Sequence, residues 1–168
     1  YKEGKIIVRL HTGDPTIYGA IKEQMDELDT LGIAYKVIPG VSSFTAAASC
    51  IPAEFTLPGV SQTIILTRVE GRTPVPETED LAKLASIGAS MAIFLSVGMI
   101  EKVVDKLRQG YGKNVPIAVV EKATWEDERI IRGRLDDICQ KVKKANITKC
   151  AQILVGDFLD SPYDKSLL

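Results

Sequence analysis

Ile6-Ile7-Val8-Arg9-Leu10-His11-Thr12-Gly13-Asp14-Pro15 is the stretch from which the fold is first read. Apart from Arg9, its first five residues are apolar and largely β-branched, the composition of a strand buried on both faces. Leu10 leads into a turn-rich loop that ends at Pro15. Beyond it, Ile17, Ile21, Met25, Leu28 and Leu31 form one apolar stripe at helical period. Gly32 stands where a helix C-terminus takes a left-handed residue, and residues 34–38 read as a second short strand. Strand, helix and strand in so short a span predict a βαβ unit with parallel strands and a right-handed crossover. The expected class is α/β.

Pro39-Gly40 interrupts this pattern, and Ser42 or Ser43 can cap a helix of small residues that runs through Ser49. Pro52, Pro58 and Gly59 mark a loop. Strands are expected at 63–67, 91–95, 117–120 and 152–155, and helices at 78–85, 100–109 and 135–144. A charged loop covers 68–76, and the alternation over 125–134 predicts a strand or hairpin. The parallel pattern loosens at Pro39-Gly40, so we expect a domain boundary there. Residues 1–38 then form one part and residues 39–168 a second α/β domain with a mixed sheet.

Of 168 residues, 45% are hydrophobic, enough for a packed core and too many for wholesale disorder. Twenty-one basic against 22 acidic residues give a net charge of −1, which removes the general basic surface of a nucleic-acid binder. Cys50, Cys139 and Cys150 are too few and too scattered for a disulfide framework or a zinc ribbon. A reducing cytoplasm is the expected compartment, and no metal site is expected. The longest uncharged stretch, 37–53, contains Pro39, Gly40 and Pro52, which a lipid-exposed helix does not favour. The chain opens on Tyr1 rather than Met, as expected of an excerpt from a longer protein.

Gly13-Asp14-Pro15 falls at the carboxyl end of a predicted strand and ahead of a predicted helix, the edge where ligands gather in open α/β sheets. Gly13 permits close backbone approach, and Asp14 can accept hydrogen bonds from a ligand. Alternatively, Asp14 caps the helix and Pro15 occupies its first turn. No Gly-Lys-Ser/Thr follows, so this is not a Walker loop. Residues 39–48 make a second junction of this kind, in which Ser42 and Ser43 offer hydroxyls and N–H donors or begin a tightly packed helix. His11, the single histidine, can protonate or orient a substrate group, or simply lie on the surface. Arg9, Arg68, Arg72, Arg129, Arg132 and Arg134 can pair with substrate carboxylates or form a solvated face. Trp125 with Glu121 and Glu126 can line a pocket, or Trp125 is core. The spacing supports no Ser-His-Asp set, metal cluster or paired carboxylates. The residues alone therefore reach a small-molecule-binding α/β protein.

Val8-Arg9-Leu10-His11-Thr12-Gly13-Asp14-Pro15-Thr16-Ile17-Tyr18-Gly19 resembles a signature of the tetrapyrrole methylases, which are S-adenosylmethionine-dependent transferases. Pro39-Gly40-Val41-Ser42-Ser43-Phe44, residues 93–99, residues 119–125 and residues 152–157 resemble further family segments in the same order, so the resemblance covers essentially the whole chain. It implies two α/β domains that enclose the methyl donor, with residues 1–38 the tail of the first, lacking that domain's first strand and first glycine-rich loop. A sheet stripped of those strands is expected to expose an edge. The resemblance implies donor contacts at Gly13, Asp14, Ile17, Ser42, Ser43, Leu95, Ala123 and Thr124. It also implies corrin carboxylates held by Arg9, Arg68 and Arg72, and His11 or Asp14 as candidates for proton transfer. The implied activity is C-methylation of a corrin precursor at C11, with S-adenosylhomocysteine as product. The alternatives are a uroporphyrinogen-III, diphthine or ribosomal RNA methylase, or a non-catalytic binding module. A homodimer without nucleic acid or membrane is implied as well.

Overall fold

The computed structural model describes residues 1–162 and 166. The chain divides into two compact units, Tyr1–Thr45 and Ala46–Leu168.

The second unit is built on one sheet of five strands: β1 (Ile64–Arg68), β2 (Ser90–Phe94), β3 (Pro116–Glu121), β4 (Arg129–Arg134) and β5 (Ala151–Val155). Their order is β1-β2-β5-β3-β4. β1 and β2 run parallel, and the other three pairings are antiparallel, so the sheet is mixed as expected. The two apolar runs of β2 and β3 are buried at every position, because both strands lie inside the sheet with both faces covered. β4 is an edge strand that carries Arg129, Arg132 and Arg134, and charge on an edge discourages further strand pairing.

Register explains the core. Met91, Val155 and Ile117 align across three strands, as do Ile93, Ile153 and Val119, and all six belong to one buried cluster. The cluster is completed by Val103, Val104 and Leu107 of α4 (Ile100–Tyr111), by Leu81 and Ala85 of α3 (Leu81–Ala85), and by Ile138 and Val142 of α5 (Ile138–Lys144). Ala92, Leu154 and Ala118 fall between those rows and so point to the opposite face.

The helix predicted at 78–85 is split. A single 3-10 turn, Glu77–Glu79, ends at Asp80, whose extended backbone lets its carboxylate accept the Ala82 N–H at 2.9 Å and start α3 afresh. The alternation predicted from residue 125 begins as a strand only at Arg129. Residues 122–128 instead make consecutive turns, with Trp125 N–H donating to Lys122 C=O and Glu128 N–H to Trp125 C=O. Trp125 is 65% exposed and is not a core residue.

The first unit holds α1 (Lys22–Thr30) and the start of α2 (Ser43–Cys50). Neither 6–10 nor 34–38 forms a strand, so the expected βαβ unit is absent from the described residues. A strand exists through its ladder of hydrogen bonds to a neighbour, and these two segments make none with each other. Ile6 is 94% exposed and Leu10 82%. α1 starts later than the stripe from Ile17 predicts, because Tyr18 and Ala20 take left-handed φ values of 55° and 49°. A Cβ on Gly19 would stand 2.1 Å from the Pro15 carbonyl oxygen, so the chain turns there too tightly for any other residue. Gly32 ends α1 as expected, with its N–H bonded to Asp29 C=O and that of Ile33 to Leu28 C=O.

Candidate functional site

Within the first unit, Gly13-Asp14-Pro15 and Pro39-Gly40-Val41-Ser42 are strapped together. Asp14 Oδ2 accepts the Gly40 N–H at 3.1 Å, while Oδ1 accepts the Thr16 N–H at 2.8 Å and the Thr16 hydroxyl at 2.5 Å. The Thr16 hydroxyl first, then the Gly40 amide, hold the Asp14 carboxyl below its ordinary value. Gly40 has no alternative in this arrangement, since a Cβ there would meet the Gly13 carbonyl oxygen at 2.3 Å. Gly13 has φ 68° and faces the Val41-Ser42-Ser43 backbone. Asp14 is therefore not the cap of α1, which starts at Lys22 with no side-chain cap. It is the brace between two loops. Ser42 is buried and Ser43 exposed at the start of α2, and Ile17 is half-buried with its N–H on Asp14 C=O.

Within the second unit, Leu95, Ala123 and Thr124 follow the carboxyl ends of β2 and β3. Both strands flank β5, so these ends lie on one sheet edge, two strand spacings or about 9–10 Å apart. Four residues other than glycine take left-handed φ along this edge: Leu95 at 54°, Lys122 at 49°, Thr124 at 71° and Cys150 at 53°. Such backbone costs energy and concentrates where function over-determines it. Leu95 is 72% exposed. It is turned outward because the fully buried Ser96 hydroxyl donates to Phe94 C=O at 2.6 Å and accepts the Val69 N–H at 3.0 Å.

The arginines separate by environment. Arg68 donates to the carbonyls of Thr73 at 3.1 Å and Pro74 at 2.8 Å, which ties the charged loop after β1. Arg129 pairs with the nearly buried Glu121 at 2.6 Å, Arg132 donates to Ile51 C=O at 2.9 Å, and Arg134 reaches Asp160 at 2.5 Å. Arg9 and Arg72 are exposed, and His11 is half-buried. The sequence did not single out Thr16, Gly40 or Glu128 as site residues. Asp14-Pro15-Thr16 carries a legible signal, since an Asp side chain often bonds the backbone two residues on. Gly40 acts 26 positions away from Asp14, where no local pattern reports it, and Glu128 bonds the Thr124 amide four positions back from within a run of charges that carries no turn signature.

Curated relatives agree along nearly the full chain. Cobalt-precorrin-4 C(11)-methyltransferase of Methanocaldococcus jannaschii is 57% identical over 162 residues, 96% of this chain and 62% of that protein. Precorrin-4 C(11)-methyltransferase of Pseudomonas aeruginosa is 45% identical over 159 residues, 95% of this chain and 64% of that protein. The chain thus spans less than two thirds of the length of either. A solved cobalt precorrin-4 methyltransferase of cobalamin biosynthesis superposes with a TM-score of 0.91 at 46% identity, covering 95% of this chain and 67% of that one. The family model of the tetrapyrrole (corrin/porphyrin) methylases matches residues 1–139, and the chain belongs to that family.

Proposed function

We propose that this chain is part of an S-adenosylmethionine-dependent methyltransferase acting on C11 of a corrin precursor, cobalt-precorrin-4 or precorrin-4. The observation that carries this is the 57% identity, over 96% of the chain, to a relative named for that reaction. In this reading residues 1–38 close the first domain and residues 39–168 form the second, in a cytoplasmic homodimer.

The donor supplies a methyl group on a positively charged sulfur, whose S–CH3 bond breaks as a C–CH3 bond forms, the ring then shedding a proton. The residues present suit such a donor. In the first unit, Gly13 offers backbone without a Cβ, beside the braced Asp14 carboxylate and the Ser42-Ser43 turn. In the second, Leu95 offers exposed apolar surface, and Ala123 and Thr124 offer backbone at the same sheet edge. The protein's task is alignment and exclusion of water, and positioning of this kind lowers barriers by up to about 7–11 kcal/mol in model reactions. Asp14 is committed to three hydrogen bonds that favour its ionised form, so His11 is the better candidate to take the proton. Arg9 and Arg72, exposed and without hydrogen bonds among the described residues, are better placed for substrate carboxylates than Arg68, which is occupied with its own loop.

The test is calorimetric titration of S-adenosylhomocysteine into the full-length protein and its Gly40→Ala variant, followed by product analysis with a corrin precursor. We expect binding by the wild type and at least about tenfold weaker binding by the variant, whose new methyl must push the Gly13 loop aside. Methylation is expected at C11. A wild type that binds no S-adenosylhomocysteine, or that methylates uroporphyrinogen III instead, overturns the assignment.

A further inference from the structure

The turn between β3 and β4 holds a brace that the donor contacts above do not use. Of the four amides at 122–125, three are engaged inside the protein. Lys122 N–H donates to Cys150 C=O at 2.9 Å, Trp125 N–H to Lys122 C=O at 2.9 Å, and Thr124 N–H to Glu128 Oε2 at 2.6 Å. The Ala123 amide between them has no hydrogen-bond partner among the described residues. Thr124 is β-branched and sits at φ 71°, a conformation such a residue does not keep without restraint. Its main restraint is the Glu128 carboxylate, which also accepts a hydrogen bond from the Cys50 thiol at the end of α2, and the Thr124 N–H is shared with the Cys50 sulfur. Both bonds hold that carboxyl below its ordinary value, so it is ionised and a strong acceptor at neutral pH.

We propose that Glu128 is a positioning residue for the methyl donor: by holding the Thr124 amide it fixes the left-handed turn and keeps the Ala123 amide free to face the donor. This rests on the S-adenosylmethionine reading above, and it assigns the recognition at this turn to one amide and one carboxylate. In this role Glu128 acts through Thr124.

The experiment compares wild type, Glu128→Ala, Glu128→Gln and Ala123→Pro in the full-length protein. For each, KM for S-adenosylmethionine, KM for the corrin precursor, kcat and the Kd of S-adenosylhomocysteine are measured. Glu128→Ala is expected to raise the donor KM and the S-adenosylhomocysteine Kd about tenfold, with kcat and the corrin KM within about twofold. Glu128→Gln keeps an oxygen for the Thr124 N–H and is expected to recover most of the donor affinity. Ala123→Pro deletes the presented amide and is expected to match Glu128→Ala. It also decides the matter should Glu128→Ala fail to fold. An unchanged donor KM in Glu128→Ala or Ala123→Pro overturns the proposal, as does a parallel loss in all four constants. Glu128→Gln as impaired as Glu128→Ala also overturns it. A wild type that binds no S-adenosylhomocysteine defeats the methyl-donor reading itself. Binding by the wild type that is indifferent to Glu128 and Ala123 defeats this inference alone.

Discussion

Residues 6–10 and strand β2, residues 90–94, are each short, apolar and rich in the composition of a buried strand. One is exposed throughout and pairs with nothing in its unit. The other is buried at all five positions between β1 and β5. Their difference is therefore not one of propensity. A strand-like run becomes a strand when a neighbour supplies the other half of each ladder hydrogen bond, and burial follows from that. The two units differ in the same sense: the second is held by packing across a sheet, and the first, at residues 13–43, by a few polar contacts between glycine loops.

The largest effect that tests this contrast is expected at the centre of the sheet. Ile153 is fully buried and stands between Ile93 and Val119 in the register. Ile153→Ala should cost about 2–5 kcal/mol in urea unfolding, by lost transfer energy and the cavity left behind. A loss below about 1 kcal/mol would mean that this row is not the packed centre of the second unit.

How much was legible follows from the same physics. Most strands and helices of residues 64–155 were readable because each carries its own period, although α4 runs two residues past the expected end at 109, to a left-handed Gly112. The α3 break at Asp80 was missed because Thr78, Glu79 and Asp80 are compatible with the first turn of a helix, and only the Asp80 side-chain cap places the start at Leu81. Trp125 could be read as pocket-lining or as the core residue of a hairpin, and the turn hydrogen bonds of 122–128 exclude the second by holding it outward. For the candidate site, Gly13-Asp14-Pro15 and Pro39-Gly40 were visible as loops from their residue types. That they bind one another through Asp14 Oδ2 and the Gly40 amide was not, because the two are 26 positions apart and no periodicity links them. The Glu128 brace was hidden among charges that, in sequence, are indistinguishable from a solvated face.

A smaller and more local effect is expected from pH. The Asp14 carboxyl is held below its ordinary value in the folded chain, chiefly by the Thr16 hydroxyl. A depressed carboxyl stabilises the folded form above its unfolded value, and that contribution fades as pH falls through the lower folded value. The strap between the two glycine loops is thus expected to persist at neutral pH and to loosen only as pH falls through that lowered value, while the apolar sheet core has no such dependence. Carbon-13 shifts of the Asp14 carboxyl through an acid titration check this. Thr16→Val should move the midpoint upward, and an unmoved midpoint would show that the hydroxyl is not what holds the charge.

The smallest effect returns to the exposed run. Ile7 is 73% exposed, and its neighbours Ile6 and Val8 are 94% and 73% exposed. A side chain that buries little on folding has little to lose, so Ile7→Lys should change the urea-unfolding free energy of this chain by no more than about 0.5 kcal/mol. The same substitution at Ile93 would bury an unpaired charge and prevent folding. If Ile7→Lys instead destabilises by more than about 1 kcal/mol, residues 6–10 have found a partner in solution. The contrast with β2 would then be one of circumstance, since a partner strand would turn the exposed run into a buried one.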